Sequence, residues 1–392
     1  MMMQNPEPSK APLRVAVVTE TYPPEINGVA MTMGRLVEGL EMRGHRIQLI
    51  RPRQGAADVP VQRERLSEVL CPGMPIPRYG GLRMGLPNRS ALLRAWTSSR
   101  PDIVHVVTEG PLGWSALAAA ARLKIPVCTD FHTNFHVYSS HYGFGWLKRA
   151  VAAYLRHFHN KALCTLVPTR AVVRELEFAG FHNLAVVPRG VDARLFNPAK
   201  RSAALRARWG ATGDHPVVLY VGRVAPEKNL PLAARAFEAM RRADPLARFV
   251  VVGDGPERAE MEARHPDYVF AGVRRGDDLA AHYASSDIFL FPSLSETYGN
   301  VTVEAMASGL AVVAYDYAAA AEHIASGGNG LTAPFDDSRR FVESAVGLVE
   351  SPDTIARLRE GARATAVRLD WEMVYTLFEE ILIEIAAKER AS

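Results

Sequence analysis

Two carboxylates, Glu296 and Glu304, bracket the stretch Glu-Thr-Tyr-Gly-Asn-Val-Thr-Val-Glu, just after the apolar run Ile288 to Phe291 and Pro292-Ser293. With a helix beginning near Tyr298, Glu296 falls on the loop entering it and Glu304 almost two turns along, roughly 9 Å further by helical rise. At that spacing the two acids meet different parts of one long ligand. Between them, the amides of Gly299 and Asn300 are first-turn donors with no intrahelical acceptor, a natural seat for phosphate. A nucleotide sugar suits the arrangement: Glu296 at the sugar, phosphate on the amides beside Tyr298, and Glu304 at the ribose.

A second constellation is Gly222-Arg-Val-Ala-Pro-Glu-Lys-Asn229, which follows the strand-like run Val217 to Val221. Arg223 offers a planar fork for phosphate oxygens and Lys228 a compact charge, so two cations leaving one strand end can clamp a diphosphate. Taken alone, the string also reads as an ordinary charged loop. Gly253, in Val252-Gly-Asp-Gly-Pro256, would let the backbone approach a nucleotide, although a tight turn explains it equally well. Neither G-x-G-x-x-G nor G-x-x-x-x-G-K-[ST] occurs, which disfavours a dinucleotide-dependent dehydrogenase and a phosphate-loop nucleotidase.

In the amino-terminal half, Asn27-Gly28 follows the first strand, where glycine lets a substrate approach the backbone. Asp130-Phe-His-Thr-Asn134 follows a later strand, and His132 is placed to bond sugar hydroxyls or accept a proton. His136 and His141 lack a carboxylate partner at fixed spacing, so no metal is expected. Cys71, Cys128 and Cys164 are widely spaced and odd in number, indicating neither a disulfide framework nor zinc.

These residues need a scaffold. A chain of 392 residues is too long for one comfortable core, and its 48% hydrophobic and 22% charged composition is that of a globular protein. No apolar run is long enough to span a membrane, and the polar stretch Met1 to Pro12 lacks the apolar core of a secretory signal, so a cytoplasmic protein is expected. Residues 1 to 189 carry 23 Lys and Arg against 13 Asp and Glu, and the remainder 23 against 29. The basic half is the half to meet anionic material, with nucleic acid and an anionic lipid surface as the candidates.

Apolar strands at Arg14–Thr19, His45–Arg51, Asp102–Val107, Pro126–Asp130, Thr165–Pro168 and Leu184–Val187 alternate with helical patterns, including one from about Ala30 to Arg43. After a polar linker, Pro198 to His215, the alternation resumes with strands at Val217–Val221, Arg248–Val252, Tyr268–Ala271, Asp287–Phe291 and Leu310–Ala314. The fold class is therefore α/β, with two Rossmann-like, doubly wound domains facing across a cleft. The expected division is 1–195 for the acceptor and 196–370 for the donor, with a final helix over 371–392 that caps the second domain or crosses back to the first. Between Gly143 and Lys161, aromatic and basic residues alternate as in an interfacial helix, although packing on its own sheet accounts for the same pattern. The loop Arg78 to Pro87 adds further basic and apolar residues.

The combination of Glu296-x7-Glu304 with Gly222-Arg-x-x-Pro-x-Lys228 resembles glycosyltransferase family 4, retaining nucleotide-sugar enzymes of the GT-B fold. The resemblance covers nearly the whole chain. Pro188-Arg-Gly-Val-Asp192 looks like the family's N-G-V-D element, with Arg189 in place of Asn. The Thr-Glu-Thr-Tyr-Pro-Pro loop and the block beginning at Phe131 look most like GDP-mannose-dependent α-mannosyltransferases acting on lipid acceptors, and plant-type sulfolipid synthases and diacylglycerol glycosyltransferases share much of that pattern. The resemblance implies that Arg223 and Lys228 bind the donor diphosphate, Glu304 the ribose and Glu296 the transferred hexose. It further implies His132 beside the sugar, and Gly28 near acceptor and phosphate. No cofactor or metal is then needed, the donor being a substrate. Glu296 could serve as nucleophile, but its position in the family favours front-face substitution, in which the departing phosphate takes the acceptor's proton. The partners expected are a nucleotide sugar, a lipid or glycolipid acceptor and an anionic membrane touched peripherally at its inner face, with no nucleic acid. UDP-sugar-dependent transfer to diacylglycerol and a nucleotide-binding, membrane-peripheral protein without activity are the alternatives. An epimerase or a pyridoxal-dependent phosphorylase lacks its motif here.

Overall fold

The structure, a computed structural model, describes residues 11–25, 27–75, 83–132, 145–211, 213 and 215–390. His136, His141, the start of the loop at Arg78 and the side chains of Trp146, Leu147 and Lys148 lie outside them. The chain forms two compact units, the first comprising Met1–Thr133, Tyr138–Pro188 and Val374–Ser392, the second in the main Arg189–Met373. The second unit thus starts at Arg189, ahead of the boundary expected at 196, and most of the final helix is counted with the first.

In the first unit, chain order runs β1 (Arg14–Val18), β2 (Arg46–Pro52), β3 (Leu66–Cys71), then a short antiparallel ribbon of β4 (Gly73–Pro75) and β5 (Arg83–Gly85). It continues with β6 (Ile103–Val106), β7 (Val127–Asp130), β8 (Cys164–Val167) and β9 (Leu184–Val186). Seven of these make one parallel sheet in the order β3-β2-β1-β6-β7-β8-β9, which reverses direction between β1 and β6. Strands covered on both faces read as continuous apolar runs, as Val15 to Val18 do. Strand β3 escapes that criterion because it carries Glu68. This carboxylate is buried, yet Arg51 Nε donates to it at 2.8 Å from the neighbouring strand, so a strand with a charge in its middle is still tolerated inside.

The second unit holds β10 (Val217–Val221), β11 (Arg248–Val252), β12 (Val269–Gly272), β13 (Ile288–Phe291), β14 (Ala311–Tyr315) and β15 (Leu331–Ala333). They form a parallel sheet in the order β12-β11-β10-β13-β14-β15, reversing between β10 and β13. The stretch Pro198 to His215 is no linker. Its helix Ala203–Arg208 buries Leu205 and Arg206, and Arg206 Nη1 donates to Asp287 Oδ2 at 2.8 Å. Its polar residues mislead because their charges are matched inside the unit.

The helix Gly145–His159 turns Leu155, Phe158 and His159 into the first unit, leaving Arg149, Arg156 and His157 exposed. Leu155 and Phe158 of its apolar stripe are therefore core, while Tyr154 of the same stripe is exposed and Val151 half-buried. The final helix, Trp371–Arg390, packs Phe378 against His105, and its Glu379 accepts from Arg43 Nη1 at 2.9 Å.

Candidate active site

In open α/β sheets, ligands sit at the carboxyl ends of strands where the strand order reverses. In the second unit that place lies between the loops following β10 and β13, and Arg223, Lys228, Glu296, Tyr298 and Gly299 come from these loops. A 3-10 turn, Pro226–Lys228, carries Lys228, whose ammonium pairs with Glu296 on the other loop and donates to Ser295 O at 3.1 Å. The two loops are also joined directly, Leu294 N donating to Glu227 O at 2.9 Å. Ser293 Oγ donates to Glu296 Oε1 at 2.8 Å, and Tyr317 OH, beyond β14, donates to the Glu296 carbonyl at 2.8 Å. Three elements thus hold Glu296 in place. The side chains of Lys228 and Glu296 remain 17% and 15% exposed, reachable but largely desolvated.

Arg223 is arranged differently. Its side chain is 59% exposed and only approaches Glu227, at 3.6 Å, while its carbonyl accepts from Tyr220 OH at 2.8 Å. The backbone is anchored and the guanidinium is left to swing. Expecting two equivalent cations misses this division, since Lys228 is already neutralised by Glu296 and Arg223 is a surface charge.

Gly253 packs directly against the loop that carries Arg223. With φ at +136°, a Cβ here would lie 1.9 Å from Gly222 O, and one at Gly255 would lie 2.2 Å from Val224 O. The two glycines let the loop after β11 press, backbone to backbone, against the loop carrying Arg223.

The helix after β13 begins at Asn300, not near Tyr298, because Gly299 at φ +88° breaks the helical path. Tyr298 is buried, and its hydroxyl donates to Arg189 O at 3.1 Å and lies 2.7 Å from His323 Nε2. Its side chain belongs to the core, so what Tyr298 could offer a donor is its backbone. Arg189, in place of the family Asn, is itself buried and supplies that carbonyl. Gly299 and Asn300 provide the first-turn amides. Glu304, inside the helix, accepts from Tyr283 OH at 3.0 Å, and burial pushes its carboxyl up to about 7 despite that hydrogen bond. A groove of about 820 Å³ among the helices Leu230–Ala243, Arg258–Arg264 and Ser338–Val349 contains none of these residues.

In the first unit, Asn27 caps the helix Gly28–Met42. Its Oδ1 accepts from Ala30 N at 2.8 Å, and its Nδ2 donates to Thr21 Oγ1 at 2.7 Å. The side chain is thus committed to the loop, a structural task that the acceptor assignment overlooked. At Gly28 a Cβ would meet nothing within 4 Å, and φ there is not positive, so neither packing nor backbone conformation demands glycine. His132 follows β7, its Nε2 3.2 Å from Asp130 Oδ2.

Other groups at these strand ends went unnoticed in the sequence. Glu20, just past β1, accepts from Leu112 N at 3.3 Å, and burial pushes its carboxyl up to about 7. Beyond β6, Glu109 Oε1 lies 3.3 Å from His159 Nε2, whose Nδ1 is 2.9 Å from Thr129 Oγ1. A histidine inside an apolar strand, as His105 is in Ile-Val-His-Val, was the available signal for a buried polar network.

Residues 26–195 match the family described as Glycosyltransferase Family 4, and residues 215–351 the one described as Glycosyl transferases group 1. A GDP-mannose-dependent alpha-mannosyltransferase of Mycobacterium tuberculosis is 33% identical over 92% of this chain and 94% of its own. An alpha-monoglucosyldiacylglycerol synthase of Acholeplasma laidlawii is 25% identical over 96% of this chain and 98% of its own. Among solved structures, sucrose-phosphate synthase from Thermosynechococcus elongatus superposes with a TM-score of 0.77 at 18% identity, covering 96% of this chain and 100% of that one.

Proposed function

The chain belongs to glycosyltransferase family 4 and is a glycosyltransferase of GT-B fold; from that premise we propose that it moves mannose from GDP-mannose to a lipid or glycolipid acceptor. Transfer proceeds with retention and without a divalent metal. The observation carrying this reading is the meeting of Lys228, Glu296 and the Gly299 turn at the strand-order reversal of the second unit. Departure of a nucleoside diphosphate builds negative charge on the leaving oxygen. Lys228 and the first-turn amides are preorganised donors that stabilise this charge more in the transition state than before it, and the exposed Arg223 guanidinium adds to them by closing on the diphosphate. Glu296, held from three sides, orients the hexose through its hydroxyls, and Glu304 anchors the ribose.

The mannosyl donor is supported by the name of the Mycobacterium tuberculosis relative and a lipid acceptor by that of the Acholeplasma laidlawii relative. In the first unit, the open space at Gly28 is assigned to the acceptor and His132 to the sugar. The excess of Lys and Arg in residues 1 to 189 brings the protein peripherally to an anionic membrane at its cytoplasmic face. A panel of nucleotide sugars, scored for diphosphate release with a bacterial lipid extract present, tests the reading. GDP-mannose is expected to be turned over fastest and only with lipid; turnover confined to UDP-sugars would replace the mannose assignment.

A further inference from the structure

We propose that Glu20 is an acceptor-binding residue of the first unit, its carboxyl taking a hydroxyl of a polyol headgroup. This rests on the reading above, in which the first unit holds the acceptor.

In the first unit the strand order reverses between β1 and β6, and an open α/β sheet takes its ligand between the loops that follow two such strands. Glu20 stands in the loop after β1, and its N–H donates to Thr108 Oγ1, on the loop after β6, at 3.0 Å. The helix Pro111–Leu123 starts after Gly110, which has no side chain to cap it, and Glu20 Oε1 accepts from Leu112 N at 3.3 Å. The Gly85 backbone, on β5, donates to the same carboxyl. A Cβ on Gly110 would lie 2.2 Å from both carboxyl oxygens. With φ at −77° and ψ at −175°, Gly110 has a backbone open to any residue, so the seated carboxyl is what requires glycine there.

Capping leaves this carboxyl unsatisfied. An ionised carboxylate offers about four acceptor positions, of which the two backbone donors fill half, and among the described residues no cation pairs with it. The titratable groups facing it are Glu109, whose charge opposes ionisation, and Tyr154, whose hydroxyl donates to the Glu109 carbonyl; Arg83, on β5, is turned to Gly73 O at 2.7 Å. Glu20 is partly exposed, so ligand hydroxyls can reach the remaining positions. A hydroxyl donating to the ionised form favours ionisation, against the burial that holds the proton up to about 7. The acceptor is then bound more tightly as pH rises through 7.

The test uses the full chain at saturating donor, with bacterial lipid extract varied at pH 6 and pH 8. The wild-type apparent acceptor KM is expected to fall at least three-fold from pH 6 to pH 8. Glu20→Gln, which resembles the protonated acid, should show the wild-type pH 6 value at both, with the donor KM within two-fold of wild type. Gly110→Ala keeps the carboxyl but drives it from its seat, and should raise the acceptor KM at pH 8 in the same way. Lower melting temperatures with the acceptor KM within two-fold of wild type at pH 8 in both variants would make Glu20 a helix cap only and overturn the proposal. If no lipid supports turnover by the wild type, the lipid-acceptor reading fails and binding judges Glu20. The chain labelled with 13Cδ-glutamate is then titrated with glycerol, sorbitol and methyl α-mannoside. A shift of the Glu20 carboxyl signal, assigned by its loss in Glu20→Gln or its displacement in Gly110→Ala, supports the proposal; no shift with any of the three overturns it.

Discussion

Lys228 and Glu296 neutralise one another, and this sharpens what removing either should do. Substituting Glu296→Gln leaves Lys228 without its counter-ion, so a nucleoside diphosphate is expected to bind as well as before or slightly better. Turnover should nonetheless fall at least a hundred-fold, about 2.7 kcal/mol of transition-state stabilisation. Calorimetry with the diphosphate and initial rates with the donor check both halves; turnover within a few-fold of wild type would remove Glu296 from the mechanism. Glu304 carries a pH signature. Burial holds its carboxyl at about 7, above the usual 4.5, so the folded protein keeps a proton that the unfolded chain has released between those values. The associated stability is fully present below about 4.5 and is lost as pH rises through 7, amounting to at most about 3 kcal/mol. Unfolding in urea at pH 5 and pH 8 should show Glu304→Gln gaining on the wild type at the higher pH. An identical difference at both would mean that Glu304 titrates normally.

The elements matter through their ends. Strands β10 and β13 are neighbours in the sheet although two strands, β11 and β12, and their flanking helices separate them along the chain, and their following loops meet for that reason. Asp287 secures the start of β13. Although burial pushes its carboxyl up, Arg201, the Val217 N–H and Arg206 together hold it below the usual range. Substituting Asp287→Asn leaves Arg206, itself buried, short of a counter-charge, and a loss of about 3–5 kcal/mol is expected in denaturant unfolding. A loss under 1 kcal/mol would show that the cluster is solvated. Most strands here were legible because a two-faced sheet needs uninterrupted apolar runs. The helix Ala203–Arg208 was not, because Arg206 looks like a surface residue until Asp287 is placed beside it. Strand β3 was hidden in the same way by Glu68 and Arg51.

At the scale of the whole molecule, charge divides along the chain, with the excess of Lys and Arg in residues 1 to 189. No helix among the described residues is long and apolar enough to cross a membrane. If the proposed peripheral binding rests on this excess of positive charge, it should be sensitive to salt. Co-sedimentation with phosphatidylglycerol vesicles is expected at about 0.1 M salt and should vanish near 1 M, where the screening length falls from about 10 Å to 3 Å. Binding that persists at high salt would point to apolar insertion instead. The order of residues by itself determined the α/β alternation, the family and the two motifs carrying Glu296, Glu304, Arg223 and Lys228, because strand periodicity, glycine turns and carboxylate spacing are local properties of a chain. Only the tertiary structure decided which charge each of these meets: Glu296 beside Lys228, 68 residues away, and Asp130 between two histidines. It also assigned Tyr298 and Asn27 to structural tasks. Those outcomes depend on which strand ends the sheet order brings together, and spacing along the chain does not encode that order.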